Sequence, residues 1–414
     1  MNVSKKVLYS STKEAKINIS GAKNSAIKLL AASLLTRDTV SIKNLPASLL
    51  DIKDQLSVYN DFGLTYKING NHFISQDNMF HCVDREIDFS FRTTYLMIVG
   101  SLLFHGNSFL FEPSGCQIGN RSIDLHLNLL SKFNINIKQK VRGYLLEATR
   151  LKGCEFTFPY LTVGGTELGL LLGSISHGQT ILRNAYITPE LLNLIDMLKL
   201  MGGEILIEGN KIIIDGKDSL SGCEISVIPD RIEVITWLCF LLASGNKGAL
   251  HNVSMNDIAV PLIHLESIGL KYTCTKSSLE VHENSLISSF EVAAGVHPGI
   301  VTDMQPFFSL VALFAEDTSK IHDYRYFDRF QYAHELNKLG FDIKFESGCI
   351  RIDPTKKSKT STIRCPDLRG GMMLVLYLAI SRNESKVINS NVIFRGYDNL
   401  KIKFNSLGIE LIDA

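Results

Sequence analysis

The sequence predicts an α/β chain of two domains, each assembled from three similar units of about 69 residues. Three recurring phrases in the 414 residues carry that prediction. The first is a helix-like tail closed by a hydrophobic residue and glycine, then a short strand. It reads Phe62-Gly63-Leu64, Phe133-Asn134-Ile135, Met201-Gly202-Gly203, Ile268-Gly269-Leu270, Leu339-Gly340-Phe341 and Leu407-Gly408-Ile409. The middle positions are separated by 71, 68, 67, 71 and 68 residues, so six units fill the chain. A helix ending in the left-handed conformation needs glycine there, and asparagine is the usual substitute. A fixed period of this kind marks an internally repeated fold.

The second phrase is a short strand rich in Thr, Ile and Val, starting near residues 39, 107, 179, 248, 318 and 385. The third is a strongly apolar helix entered through a polar or charged residue. These helices begin near Lys23-Asn24, Arg92-Thr93, Gly165-Thr166-Glu167, Asp230-Arg231, Asp303-Met304 and Asp367-Leu368-Arg369. Bodies such as AIKLLAASLL and VITWLCFLLA are apolar nearly all round, which makes them buried on most faces. Each unit therefore reads as buried helix, strand, amphipathic helix, glycine cap and strands. No Pro- or Ser-rich linker divides the halves, and the crossing between domains is placed at Ile228-Pro229-Asp230.

Composition narrows the function. Lys+Arg is 43 against Asp+Glu 42, a net charge of +1, so no basic excess exists to hold a nucleic-acid backbone. The longest apolar run, Thr94 to Phe104, is too short to span a bilayer, and the N-terminal segment lacks the apolar core of a signal peptide. The expectation is a soluble, cytoplasmic protein with no membrane partner. Eight cysteines include no C-x-x-C pair, so a zinc knuckle or thioredoxin-type site has no support, and most thiols read as small buried hydrophobes.

Chemistry concentrates at the helix entrances. Helix N-termini favour anions, and aspartate there is ordinarily an N-cap. A lysine or arginine opposes the dipole and needs another reason, so Lys23, Arg92 and Arg369 point to an anionic ligand. Cys116 lies in the small-residue loop Pro113-Ser114-Gly115-Cys116-Gln117-Ile118-Gly119-Asn120-Arg121. Exposure and a nearby arginine are conditions that lower a thiol pKa. His126 reads either as a ligand or base, or as a structural histidine. P-loop, dinucleotide and G-x-S-x-G fingerprints are absent, and the ladder Gly165, Gly169, Gly173 suits close helix packing.

These residues carry a resemblance to the enolpyruvyl transferases, on the uridine-nucleotide-sugar branch, along the whole chain. Ile19-Ser20-Gly21-Ala22-Lys23-Asn24 is similar to the family's opening signature, and the Pro113 to Arg121 loop with Asp124-Leu125-His126 looks like its catalytic-cysteine loop. Thr162-Val163-Gly164-Gly165-Thr166, Pro229-Asp230-Arg231-Ile232-Glu233, Thr302-Asp303-Met304-Gln305, Asp328-Arg329-Phe330, Asp367-Leu368-Arg369 and Arg395-Gly396-Tyr397 match further blocks. The resemblance implies an inside-out α/β barrel in each domain, the two facing each other across a cleft. Residues 1–22 plus 229–414 would form the first domain and residues 23–228 the second.

It also implies roles. Lys23, Arg121, Arg369 and Arg395 would hold the phosphate and carboxylate of phosphoenolpyruvate. Asn24 and Asp303 would lie at the acceptor hydroxyl, Asp303 as general base, and Cys116 would protonate the methylene carbon. Arg92, Asp124, His126, Thr162, Val163 and Gly164 would line a uridine-nucleotide pocket, with Asp230 and Arg329 among the substrate-binding residues. No cofactor and no metal are implied, only small-molecule partners. Departures fall on the acceptor side: Ile187-Thr188 before Pro189-Glu190, Ser114 and Ser122 in the cysteine loop, Lys53, and Tyr160. The implied acceptor is the sugar of a uridine diphosphate sugar. Alternatives are uridine monophosphate in nucleoside modification and a non-catalytic nucleotide-sugar binder.

Overall fold

A computed structural model describes residues 4–10, 15–61, 64–78, 95–111, 123–283, 286–354 and 359–413. The fold is mixed α/β. Two compact units are present, one of Met1–Ser20 and Pro229–Ala414, the other of Gly21–Ile228. The first crossing thus falls two residues before the boundary read from the sequence. Main-chain bonds at the two crossings follow the same division: Asp230 N–H donates to Ser20 O at 2.9 Å, and Ala22 N–H to Ile228 O at 2.7 Å.

Six sheets are formed by the described residues, three in each unit. The repeat spanning residues 155–215 shows the plan. Strand Glu155–Thr157 lies parallel to Gln179–Arg183, which pairs antiparallel with Lys211–Asp215, and that strand pairs with Glu204–Glu208. Helix Val163–Ser174 joins the first two strands, and helix Pro189–Leu200 leads to the hairpin. A parallel connection of this kind requires a crossover helix.

Strand exchange along the chain explains why the first unit is discontinuous. Lys5–Tyr9 pairs antiparallel with both Lys386–Ile388 and Ile409–Asp413, and Ala15–Asn18 runs parallel to Gly248–His251. In the other unit Glu224–Ser226 returns to lie parallel to Ser41–Lys43. A buried polar network fixes Ser20 as well. Lys403 Nζ donates to Ser20 Oγ at 2.6 Å and pairs with Glu233, whose carboxylate also accepts from Ser20 N–H and from Trp237 Nε1, each at 3.0 Å.

The apolar helices are the cores. In Arg231–Ser244 every residue from Arg231 to Ala243 is buried, and in Leu368–Ser381 every residue from Arg369 to Ala379. These two and Gln305–Ala312 pack on one another in the first unit. Each unit has its own hydrophobic cluster. The helix expected from Gly165 begins at Val163, because the Thr162 hydroxyl accepts from Gly165 N–H at 3.3 Å and caps it. The entrance at Arg92-Thr93 lies outside the described residues; its helix is described over Ile98–His105.

The repeated cap takes the left-handed side of the backbone map at each described position. Asn134 has φ 65°, Gly202 98°, Gly269 121°, Gly340 98° and Gly408 72°; Gly63 lies outside the described residues. At Gly408 a Cβ would also sit 1.8 Å from Ser10 O, so close approach demands glycine there as much as conformation does. Among the described residues no helix is long and apolar enough to cross a membrane.

Candidate active site

The three aspartates at the helix entrances of the first unit differ in what they hold. Asp230 Oδ1 accepts from Ile232 and Glu233 N–H at 2.9 and 3.1 Å, and Asp367 Oδ1 from Arg369 and Gly370 N–H at 2.8 and 3.1 Å. Both are N-caps. Asp303 is not: its helix starts at Gln305, and the capping residue Met304 makes no side-chain bond. Its carboxylate instead lies between two guanidinium groups. Arg329 Nη1 donates to Oδ1 at 2.5 Å, and Arg369 Nε stands 3.6 Å from Oδ2.

Both arginines are buried, at 3% and 1% exposure, while the Asp303 side chain is 28% exposed. Arg329 Nη1 also donates to Thr302 Oγ1 at 3.1 Å, and Nη2 lies 4.0 Å from Asp367 Oδ1. Arg369 donates from Nη1 to Gly396 O at 3.4 Å and lies 4.9 Å over the Tyr397 ring. Burial opposes the charge on Arg329, yet Asp303, Asp367 and Asp323 outweigh it and raise the pKa. Arg369 is likewise raised against burial by Tyr397, Asp303 and Asp230. The Nε–H of each arginine has no hydrogen-bond partner among the described residues. Two permanent cations with donors in reserve around one partly open carboxylate can accept an anion and hold a base beside it.

In the second unit Lys23 is the first residue of helix Lys23–Ser33 and pairs with Asp51, both side chains being buried. That carboxylate is the compensation a cation at a helix N-terminus needs. Asn24 beside it is exposed, and its carbonyl accepts from Lys28 Nζ at 2.6 Å. Lys28 forms a buried ion pair with Glu167 at 2.9 Å. Burial raises the Glu167 pKa, Lys28 and a hydrogen bond with Tyr95 pull it down, and Glu190 pushes it up. The Tyr95 ring packs on His126 with centroids 4.6 Å apart.

Gly164 completes that arrangement. A Cβ there would meet Tyr95 Oη at 2.6 Å and His126 Nε2 at 2.9 Å, so glycine is what lets both rings close over the helix start. Thr162 caps the helix, Val163 is 38% exposed beside it, and Asp124 is exposed in the first turn of helix Asp124–Lys132. The sequence-predicted residues His126, Thr162, Val163 and Gly164 are thus neighbours at one helix entrance.

The sequence profile of EPSP synthase (3-phosphoshikimate 1-carboxyvinyltransferase) matches residues 9–404. The chain belongs to this enolpyruvyl transferase family. It is 32% identical over 409 residues to the UDP-N-acetylglucosamine 1-carboxyvinyltransferase of Wolbachia pipientis wMel, covering 96% of each chain. To that of Campylobacter jejuni subsp. doylei it is 33% identical over 400 residues, covering 95% of each. Its fold matches the enolpyruvyl transferase NikO from Streptomyces tendae with a TM-score of 0.89 at 20% identity, over 100% of both chains. For EPSP synthase from Acinetobacter baumannii the TM-score is 0.76 at 15% identity, again over 100% of both.

In this enolpyruvyl transferase the described residues bring together Asp303, Arg329 and Arg369, with Asp230 and Asp367 at the adjoining helix starts. Arg395 ends the turn Ser390–Arg395 and is partly exposed, next to the Gly396 whose carbonyl Arg369 holds. Cys116, Arg92, Arg121, Ser114 and Ser122 lie outside the described residues. Of the departures, Thr188 caps helix Pro189–Leu200 by accepting from Leu191 N–H at 3.3 Å, while Tyr160 and Lys53 are exposed. Six cysteines lie among the described residues. Burial pushes the Cys154 and Cys223 thiols up to about 11 and Cys365 to about 12; only Cys274 among the six is exposed.

Sequence reasoning missed Asp51, Tyr95, Lys28, Glu167, Asp323 and Tyr397. A signal existed for Lys28 and Glu167, each a lone charge of opposite sign inside an apolar helix. The Gly164 geometry gives a direct test. Gly164→Ala is expected to push the Tyr95 and His126 rings off the helix start and to cost about 1–3 kcal/mol of stability, as overpacking does. A urea melt checks this, and an unaltered midpoint would mean that the rings give way without cost.

Proposed function

We propose that this enolpyruvyl transferase moves the enolpyruvyl group of phosphoenolpyruvate to the 3-hydroxyl of N-acetylglucosamine in UDP-N-acetylglucosamine, in peptidoglycan precursor synthesis in the cytoplasm. The observation that carries the acceptor is the 32% identity over 96% of the chain with transferases named for that nucleotide sugar. The matched structures at 20% and 15% identity speak for the fold alone. An inside-out α/β barrel in each unit goes with this reading, supported by buried helices that pack together with sheets of the same unit.

The hydroxyl oxygen adds to C2 of phosphoenolpyruvate. Asp303 takes the hydroxyl proton, and Cys116 delivers a proton to the C3 methylene. The C2–O bond to phosphate then breaks, a proton leaves C3, and the double bond of the enol ether forms. Arg369, Arg395, Arg121 and Lys23 hold the phosphate and carboxylate, where planar guanidinium forks bond both groups bidentately. His126, Thr162, Val163, Gly164, Asp124 and Arg92 serve the nucleotide, with Asn24 near the reacting hydroxyl. Asp230 and Arg329 support this set, Asp230 as the cap of its helix and Arg329 as the partner of Asp303. Groups held by buried ion pairs need little reorganisation when charge develops.

Phosphate release from phosphoenolpyruvate, measured with UDP-N-acetylglucosamine, uridine monophosphate or no acceptor, tests the proposal. Release with the sugar nucleotide and a product heavier by one enolpyruvyl group is the expected result. Release only with uridine monophosphate would move the acceptor, and binding of the nucleotide sugar with no release in any arm would favour the non-catalytic reading. In the same assay Cys116→Ser is expected to lose most turnover.

A further inference from the structure

Four of the repeats close their central strand with an asparagine in the left-handed region: Asn44 (φ 56°), Asn184 (54°), Asn252 (60°) and Asn389 (60°). Each side-chain amide donates to the carbonyl that ends the parallel neighbouring strand. The acceptors are Val227, Phe158, Ile19 and Cys365, at 2.9, 2.9, 2.7 and 2.9 Å. This is a repeated clamp between two parallel strands: at Asn184 and Asn389 they precede and follow one apolar helix, and at Asn44 and Asn252 they are the exchanged strands beside the two crossings. The corresponding residue 112 lies outside the described residues.

The fifth repeat breaks the pattern. His322 faces Ala293 as His251 faces Asn18, which puts Asp323 at the clamp position and Ala294 O in the place of its acceptor. Tyr324 N–H takes that carbonyl at 2.9 Å. The Asp323 carboxylate is used elsewhere. Oδ1 accepts from Arg325 and Tyr326 N–H at 2.9 and 2.8 Å, and Oδ2 accepts from Thr302 Oγ1 at 2.5 Å. Thr302 Oγ1 in turn accepts from Arg329 Nη1, the nitrogen that also donates to Asp303.

A fully buried carboxylate is a costly replacement for an amide that serves the fold in four sister repeats. We propose that Asp323 is a positioning residue for Asp303: by accepting the Thr302 hydroxyl proton it leaves the hydroxyl lone pairs for Arg329, and so fixes the guanidinium that holds the base. This rests on Asp303 being the general base. An amide cannot reproduce the arrangement. If its oxygen faces the two N–H groups, its NH2 faces Thr302 and the hydroxyl proton is released; turned over, its NH2 faces two donors. Burial raises the Asp323 pKa, and the Thr302 hydroxyl, the two N–H groups and Arg329 draw it down. The charged and titratable groups facing this chain are Arg329, Arg369, Asp367 and Tyr332.

The test is the pH profile of kcat/KM for D323N, T302V and T302S, with thermal melts. D323N is expected to fold, since asparagine keeps the size of the side chain and its amide oxygen can still accept from Arg325 and Tyr326 N–H. Its kcat should fall about 30-fold, within the range general-base catalysis supplies, with KM for both substrates little changed. With one anion fewer to share Arg329, the acid limb should move to lower pH. T302V should show the same fall in kcat without that shift, since it leaves the Asp323 charge in place, and T302S should behave like the parent. Parent-like kcat and profile in D323N and T302V would overturn the proposal, as would a D323N defect that appears only as unfolding while T302V keeps full turnover. D303N run alongside separates the two levels: an inactive D303N with normal D323N rejects the positioning role alone, and an active D303N rejects the reading beneath it.

Discussion

Asp303→Asn is expected to lower kcat about 10³-fold if Asp303 is the proposed general base, since it removes the carboxylate while keeping the shape of the side chain. KM for phosphoenolpyruvate should hold or fall. Asp303 is the carboxylate that faces Arg329 and Arg369, so removing its charge leaves those guanidinium groups more attractive to an incoming anion. The folded state should suffer in the same variant. Two arginines buried to within 3% exposure lose the partner that offsets their desolvation. Breaking a buried pair from one side costs about 3–5 kcal/mol, and the lower end is expected here. Asp367 Oδ1, 4.0 Å from Arg329 Nη2, still supplies counter-charge. Single-turnover phosphate release and a urea melt check the two halves separately. Turnover within about tenfold of the parent would remove Asp303 as base, a role worth more than that.

How far the sequence was legible depends on how local the cause is. The six-fold period could be read because a left-handed cap admits few residues, and Asn134 and Gly202 through Gly408 obey that backbone rule. The apolar helices could be read because nothing else buries Ile232 to Ala243 on every face. The aspartates at the entrances could not be told apart. Asp230 and Asp367 serve the next turn of their own helices, whereas Asp303 is defined by Arg329, 26 residues later, and by Arg369. Lys23 is similar: its position against the helix dipole pointed to an anionic ligand, and only packing shows that Asp51 of the same unit is its counter-charge. The asparagine clamps lay in plain view at the ends of the strand phrases. Their meaning needed the register of the parallel strands, and only then does Asp323 stand out.

The buried pair Lys28–Glu167 carries the largest expected effect on stability, and its sign is set by pH. Side-chain exposures of 4% and 3% leave neither charge to water. Burial, the largest influence, puts the folded-state pKa of Glu167 above its ordinary value despite Lys28 and Tyr95. A carboxyl raised in this way favours the fold when protonated, so its contribution is largest below the ordinary glutamate range and is lost as pH rises through the raised value. Lys28→Met removes the main attraction that holds the ionised form and pushes that pKa further up. At pH 8 the variant should be about 3–5 kcal/mol less stable than the parent, the cost of leaving a buried charge alone. At pH 5 Glu167 can take up a proton and the deficit should shrink. Lys28→Met combined with Glu167→Leu should recover most of the loss at pH 8, since an apolar pair of similar volume carries no desolvation cost. The effect should also reach the residues proposed for the nucleotide, because Glu167 bonds Tyr95 and the Tyr95 ring lies 4.6 Å from that of His126. Urea midpoints of the parent, single and double variants at pH 5 and 8 measure all of this. A deficit of the same size at both pH values would mean that the lysine stem, rather than its charge, is what the core of the second unit uses.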